Sequence, residues 1–209
     1  MFENITTIDL KVLSLYTKDY SATFSIRHIT KSLNINYSHA FKRVKKLVKD
    51  GILLEKKTGQ VNNLSLNIKN LDTIQLLSFA EEQESKKIKY SALMLIAEEA
   101  AKIDPFSCIG LFGSRVAGKA TKESDWDIFI ITQKSKKREV ESLMSKFPFA
   151  RNIQLQVFSL DEFEESLLSP EETVVKHIVR NKQIIYNPHP FYNIINKWEK
   201  IKYAPSQTS

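Results

Sequence analysis

Only one cysteine, Cys108, stands in the 209 residues, so no internal disulfide can form and a disulfide-stapled scaffold is excluded. Cys108 precedes an apolar run and is expected as buried filler rather than as a reactive thiol. No stretch approaches the roughly 18 uninterrupted apolar residues of a membrane span. The N-terminal "MFENITTIDLKVLSLY" carries Glu3 and Asp9 and lacks both a basic n-region and a small-residue cleavage site. It reads as a mature, cytoplasmic protein with no membrane contact.

Net charge is missing from two thirds of the chain. Residues 71–209 hold 19 Lys and Arg against 19 Asp and Glu. Residues 1–70 hold 12 against 5, a surplus equal to the +7 of the whole. A basic module beside a neutral remainder is the electrostatic footprint of a nucleic-acid binder joined to something else.

Within that basic third, "TTIDLKVLSLY" places Ile8, Leu10, Val12, Leu13 and Leu15 mostly on one helical stripe, with Thr6 or Thr7 as cap. "FSIRHITKSLN" predicts a second helix from Ile26, Ile29 and Leu33. "INYSHAFKRVKKLVKDG" predicts a third, buried through Ala40, Phe41, Val44, Leu47 and Val48 and ended by Gly51. "ILLEKK", a Thr58-Gly59 turn and "QVNNLSLNI" predict a hairpin. Helix, helix, basic helix and hairpin resemble a winged helix-turn-helix of the MarR type. That resemblance implies a third helix in the major groove of double-stranded DNA, with Tyr37, Ser38, His39, Lys42 and Arg43 near base edges. Lys45, Lys46 and Lys49 would meet phosphate, and Lys56, Lys57 and Gln60 would lie on the wing. A winged helix used only for protein contacts is the alternative.

Residues 70–103 contain neither proline nor glycine. They read as a helical connector over 71–103, capped by Asn70, either one bent helix or two interrupted at "EEQESKK". Ile74, Leu77 and Phe79 are expected against the first domain, and Leu93, Leu95, Ile96 and Ala100 against the next. Such a connector fixes distance better than a flexible linker, and it could supply a homodimer interface.

The densest chemistry lies in "GLFGSRVAGKATKESDWDIFIIT", Gly110 to Thr132. "CIGLF" is a short buried strand by its length. Gly113 lets the chain turn, and Ser114 begins a helix whose backbone N–H groups suit an anion. Asp125 and Asp127 then open a second strand on one face, with β-carbons roughly 6–7 Å apart. Two like charges so close call for a cation between them, and Mg²⁺ with phosphate as co-ligand fits such a pair.

Gly-Ser, ten residues, Asp-x-Asp on strand–helix–strand resembles the DNA polymerase β-like nucleotidyltransferases, above all the minimal (MNT-type) branch with its "GSRxxG". Gly113, Ser114, Arg115 and Gly118 match that motif and would bind nucleotide. The resemblance covers residues 90–190 or so and implies a small mixed sheet with helices on one side. It implies Asp125 and Asp127 as catalytic and Mg²⁺-holding residues, a nucleoside triphosphate as substrate, and a protein or small-molecule hydroxyl as acceptor. Antitoxin-like members adenylylate partner toxins. Active members usually add a third carboxylate from a later strand, here Asn152 to Phe158, where the position falls on Gln154, or on Gln156 two residues on. Neither can ligate Mg²⁺ with charge or take a proton.

The whole is therefore expected to be α+β. A winged helix-turn-helix (1–70) and a helical connector (71–103) lead to a nucleotidyltransferase-like domain (104–190) and a C-terminal helix or tail (191–209). Three functions stay open: a nucleotidyl transferase, a transcriptional regulator whose degenerate transferase domain only senses nucleotide, and a purely structural use of both domains in assembly. "SLDE" predicts a helix capped by Ser159 and Glu162, and "SPEETVVKHIVRN" another capped by Ser169, with Pro170 first and Glu172 completing the box. "KQIIYNP" predicts an edge strand, and "YAPSQTS" a disordered tail.

Overall fold

Thr6 opens the first helix. Its hydroxyl accepts the Asp9 N–H at 3.4 Å, while the Asp9 carboxylate accepts the Thr6 N–H at 2.7 Å. The computed structural model describes residues 5–88, 90–121, 123–148 and 152–202. Glu3 and the expected tail from Tyr203 lie outside the described residues. The chain divides into two compact units, Met1–Ala80 with Ile195–Ser209, and Glu81–Ile194. The division falls inside two helices.

The first unit runs α1 (Thr7–Ser14), β1 (Phe24–Ser25), α2 (Ile26–Leu33), α3 (Tyr37–Lys49), β2 (Leu53–Thr58) and β3 (Val61–Leu66). It then enters α4 (Leu71–Ser85). The strands form an antiparallel sheet in the order β1-β3-β2, with Thr58 paired to Val61 across the hairpin turn. The two-residue β1 carries too short a pattern to be read from sequence. Val12, Leu13, Ile29, Val44, Leu47 and Leu64 are fully buried and form the apolar interior. Tyr16 joins them, donating its hydroxyl to the Leu64 carbonyl at 3.0 Å, and burial pushes its pKa up. Phe41, expected inside, is instead 42% exposed. It lies beside Tyr37, and the interior of α3 is filled without it. Phe79 likewise faces outward while Ile74 and Leu77 are buried. Near the chain's end Asn196 donates to the Ile68 carbonyl at 2.7 Å, and Tyr20 donates to Glu199 at 3.0 Å.

The second unit contains α5 (Ser91–Ile103), β4 (Cys108–Phe112), the single turn α6 (Gly113–Val116) and β5 (Trp126–Thr132). α7 (Lys137–Glu141) passes into a 3₁₀ turn over Ser142–Lys146, followed by β6 (Ile153–Ser159) and α8 (Leu160–Leu168). α9 (Val174–Arg180) and β7 (Gln183–Tyr186) follow, and the first residues of α10 (His189–Lys202) complete it, the rest of that helix belonging to the first unit. The connector is two helices, but "EEQES" forms the end of α4 and the break falls after it, between Ser85 and Ser91. The sheet order is β6-β5-β4-β7, parallel only between β5 and β6. This is the expected mixed sheet, with β7 at one edge.

Strand alternation sorts its side chains. Ile109, Leu111, Ile128, Ile130 and Ile153 pack in one cluster with Leu93, Ile96 and Ala100 of α5 and with Val140 and Leu143. Leu95, expected among them, is 40% exposed. On the other face Phe129 meets Phe191 at 6.2 Å, and Phe158 meets Phe163 at 5.6 Å. A β-carbon on Gly110 would sit 2.4 Å from the Phe129 ring, so only glycine leaves room there. Helices therefore cover both faces, where one had been expected, because both faces of the central strands are apolar. α9 also starts later than its capping pattern suggests. Thr173 caps it, accepting from the Lys176 N–H at 3.4 Å, and Glu172 pairs with Arg180. Ser159 and Glu162 do cap α8 reciprocally.

Cys108 is fully buried, and burial followed by the nearby Glu81 carboxylate pushes its thiol well above the ordinary range. Beside it lies a buried polar knot. Lys182 Nζ stands 3.1 Å from Glu81 Oε2 and 3.0 Å from the Tyr192 hydroxyl, Tyr192 donates to Glu81, and Glu81 Oε1 accepts the Ile184 N–H at 2.9 Å.

Candidate functional site

β4 ends at Phe112, which pairs with Asp127 across the antiparallel ladder. The next residue, Gly113, turns with φ 76°. A β-carbon there would stand 2.0 Å from Asp127 Oδ2 and 2.8 Å from Cγ, so the Asp127 carboxylate rests directly on the glycine. Side chain and backbone both demand glycine at this position. Gly118 shares the left-handed conformation (φ 70°) but has open space around it.

On the other side of β5 the parallel register pairs Asp127 with Gln154. Gln154 Nε2 donates to Asp125 Oδ2 at 2.8 Å. Of the two glutamines open in the sequence, Gln154 is therefore the one beside the aspartates, with Gln156 opposite Phe129 farther into the sheet. Burial, and then the Asp125 charge, raise the Asp127 pKa. Neither aspartate makes an ion pair among the described residues.

Arg115 does not point its charge at a free anion site. Its Nε donates to the Asp125 carbonyl at 3.2 Å, and its guanidinium also bonds the Ser124 carbonyl. The same group lies 4.6 Å from the centre of the Trp126 ring, which stacks on Tyr90 at 5.1 Å. The motif arginine thus fastens the loop that carries Asp125. Nothing in the spacing of "GSRVAG" announces this role, although a tryptophan between two aspartates was a visible partner for a cation. Ser114 sits on α6 beside Gly113, where first-turn N–H groups lack helical partners.

Two carboxylates are fewer than a closed protein cage needs. Among the described residues no group of three or more His, Cys, Asp or Glu stands together as a metal site. The donor set still fits Mg²⁺, which takes one or two carboxylates and completes its shell with water and substrate phosphate. The glycine cradle under Asp127 holds one of those carboxylates in place.

On the first unit, α3 presents Tyr37, Ser38, His39, Lys42 and Lys49 outward. Tyr37 and Phe41 stack at 6.1 Å, with Lys45 Nζ 5.6 Å from the Phe41 ring. Arg43, expected with the outward set, turns back into the fold. Its Nε donates to Asp9 Oδ1 at 2.8 Å and the guanidinium pairs with the fully buried Asp9 carboxylate. An acid sealed inside the helix packing must be paired, and Arg43 is its partner. Lys45 pairs with Glu55 at 2.7 Å, and Lys46 pairs with Asp50. Lys42, Lys49, Lys56 and Lys57 make no ion pair among the described residues, and the last two are exposed on the hairpin.

A strand, a glycine turn and two carboxylates thus come together on a four-stranded mixed sheet. Residues 95–190 match the family model described as Polymerase beta, Nucleotidyltransferase. That stretch, from within α5 to the start of α10, is a nucleotidyltransferase domain of the polymerase-β superfamily. No curated protein matches the chain. Among the described residues no helix is long and apolar enough to cross a membrane.

Proposed function

We propose that the protein joins a DNA-binding winged helix to a nucleotidyltransferase domain that binds Mg²⁺ and a nucleoside triphosphate. The observation that carries this reading is the Asp127 carboxylate seated on Gly113, with Asp125 two residues away and neither in an ion pair among the described residues. Asp125 and Asp127 would hold Mg²⁺, which when bound supplies charge neutralisation for the triphosphate. Gly113 keeps Asp127 in position, Ser114 and the first-turn amides of α6 face the phosphates, and Arg115 fixes the Asp125 loop. For transfer, an acceptor hydroxyl oxygen bonds the α-phosphorus as the bond to the bridging oxygen breaks, and pyrophosphate leaves. Gln154 cannot receive the hydroxyl proton, so that proton must pass to the acceptor's surroundings or to water.

For the first unit, the reading rests on the helix–helix–helix–hairpin order and on four lysines around the outer face of α3 and the hairpin that make no ion pair among the described residues. On this reading Lys42 and Lys49 of α3 and Lys56 and Lys57 of the hairpin meet phosphate, while Tyr37, Ser38 and His39 read base edges.

One observation favours the second reading, a regulator that senses nucleotide without transferring it. Gln154 offers Asp125 an amide donor at the place where a third carboxylate would serve. The two readings part in one experiment, incubation with Mg²⁺ and each α-³²P-labelled nucleoside triphosphate, beside an Asp125→Ala/Asp127→Ala variant. Mg²⁺-dependent nucleotide binding that weakens at least about 100-fold in the variant supports the site, since two metal ligands are lost together. Label transfer or pyrophosphate release then identifies a transferase. Binding without turnover, even with cell extract as acceptor, identifies a sensor, and binding that ignores the aspartates refutes both.

A further inference from the structure

α3 carries an unusual pair on the face proposed to meet DNA. Tyr37 is 51% exposed and Phe41 42% exposed. They lie one turn apart, their rings 6.1 Å from centre to centre and 28° from parallel. With Val61 of the hairpin they form the apolar wall of a groove of about 370 Å³, rimmed by Arg27, Gln60 and Asn62. Val61 is itself half exposed.

The setting identifies the occupant. Lys42, Lys49, Lys56, Lys57 and Arg27 around this face make no ion pair among the described residues, and Asp9, Asp50 and Glu55 are each bound to a cation. The surface is therefore complementary to a polyanion. A polyanion that also satisfies exposed aromatic rings must bring an apolar group to them. The major-groove edges of the four bases carry hydrogen-bond donors and acceptors throughout, and their one apolar substituent is the thymine 5-methyl.

We infer that Tyr37 and Phe41 form a thymine-reading shelf, so that the DNA bound by this face is selected for thymine methyl groups in the major groove. The inference rests on the DNA-binding reading of the first unit and adds the base that it prefers. Ser38 and Lys42, between and beside the rings, then bond neighbouring edges or phosphate. Gln60 and Asn62 stand across the groove as further donors and acceptors.

The test is a methyl deletion on the DNA. A duplex selected by the full chain from a random double-stranded pool is remade with uracil for each thymine in turn, and affinity is measured by fluorescence anisotropy. The wild-type protein is expected to lose about fourfold for each contacted thymine, the worth of one methyl group taken from water. A Tyr37→Ala/Phe41→Ala variant is expected to bind thymine and uracil duplexes alike. Both rings are exposed, so the variant should keep the wild-type melting curve. Indifference of the wild-type protein to uracil overturns the inference, as does a variant that keeps the full thymine preference. Tighter binding to single strands of the same sequence overturns it too, because the rings would then be stacking platforms for unpaired bases. If Lys42→Ala/Lys57→Ala weakens duplex binding while uracil has no effect, the DNA reading stands and the thymine shelf alone falls. Absence of duplex binding at any salt concentration removes both.

Discussion

The two units leave opposite charges unanswered. Around α3 and its hairpin, Asp9, Asp50 and Glu55 are each held by a cation, and Lys42, Lys49, Lys56 and Lys57 make no ion pair among the described residues. At the mouth of the four-stranded sheet the reverse holds, since Asp125 and Asp127 make no ion pair among the described residues. Arg115, beside them, is occupied with backbone carbonyls and a tryptophan face. Overall charge conceals this contrast. The second unit lies wholly within a stretch of zero net charge, yet it presents a local pair of like charges, and such local surpluses are where charged ligands are received.

The contrast can be broken most forcefully from inside. Arg43→Met removes the cation from Asp9 and leaves a carboxylate uncompensated at full burial. It is expected to cost about 3 kcal/mol of stability in the first unit, the usual penalty for orphaning one half of a buried pair. Chemical denaturation should report it as an earlier transition. An equal loss of nucleic-acid affinity in folded protein would instead return Arg43 to the recognition surface.

Removing the unanswered cations should act on binding and leave folding intact. Lys42→Ala/Lys57→Ala is expected to weaken duplex binding about tenfold at low salt. It should also flatten the salt dependence of affinity by about 1.8 in logarithmic slope, two phosphate contacts' worth. Titrations at four ionic strengths would read this, and an unchanged slope would exclude both lysines from the interface.

The smallest effect sharpens the anionic side. Gln154→Glu replaces an amide donor by a third carboxylate beside Asp125 and Asp127. Without metal, the added repulsion should lower the melting temperature by a few degrees, about 1 kcal/mol in a domain of this size. With Mg²⁺ the loss should reverse, and Mg²⁺ affinity should rise several-fold by isothermal titration. Indifference of the variant to Mg²⁺ would mean that residue 154 does not face the metal position.

Much of this was legible in the sequence because the patterns were local. Thr6, Ser159 and Gly51 mark element ends within a few residues, and the alternation of Asp125, Asp127 and Phe129 announced a strand with its acids on one face. Other features depended on partners far along the chain. Phe41 fits the helical apolar stripe as well as Val44 does, and only the three-dimensional packing leaves it outside. Arg43 is indistinguishable from its basic neighbours until Asp9 is known to be buried. The choice between Gln154 and Gln156 required the register of a parallel pair, which no turn fixes. Thr173 displaced Ser169 as a cap because both residues precede plausible first turns.

The knot of Lys182, Glu81 and Tyr192 has a consequence for how the chain is made. Its bonds to Glu81 span 101 to 111 residues, and on the first unit Asn196 and Glu199 reach back 128 and 179 residues to Ile68 and Tyr20. Contacts of such separation form late and slow folding. During synthesis both units wait for the last helix to leave the ribosome before their interiors can be sealed. A message truncated just before Phe191 would therefore release a chain with neither unit finished, rather than one good half, and such a product is a natural target for proteolysis.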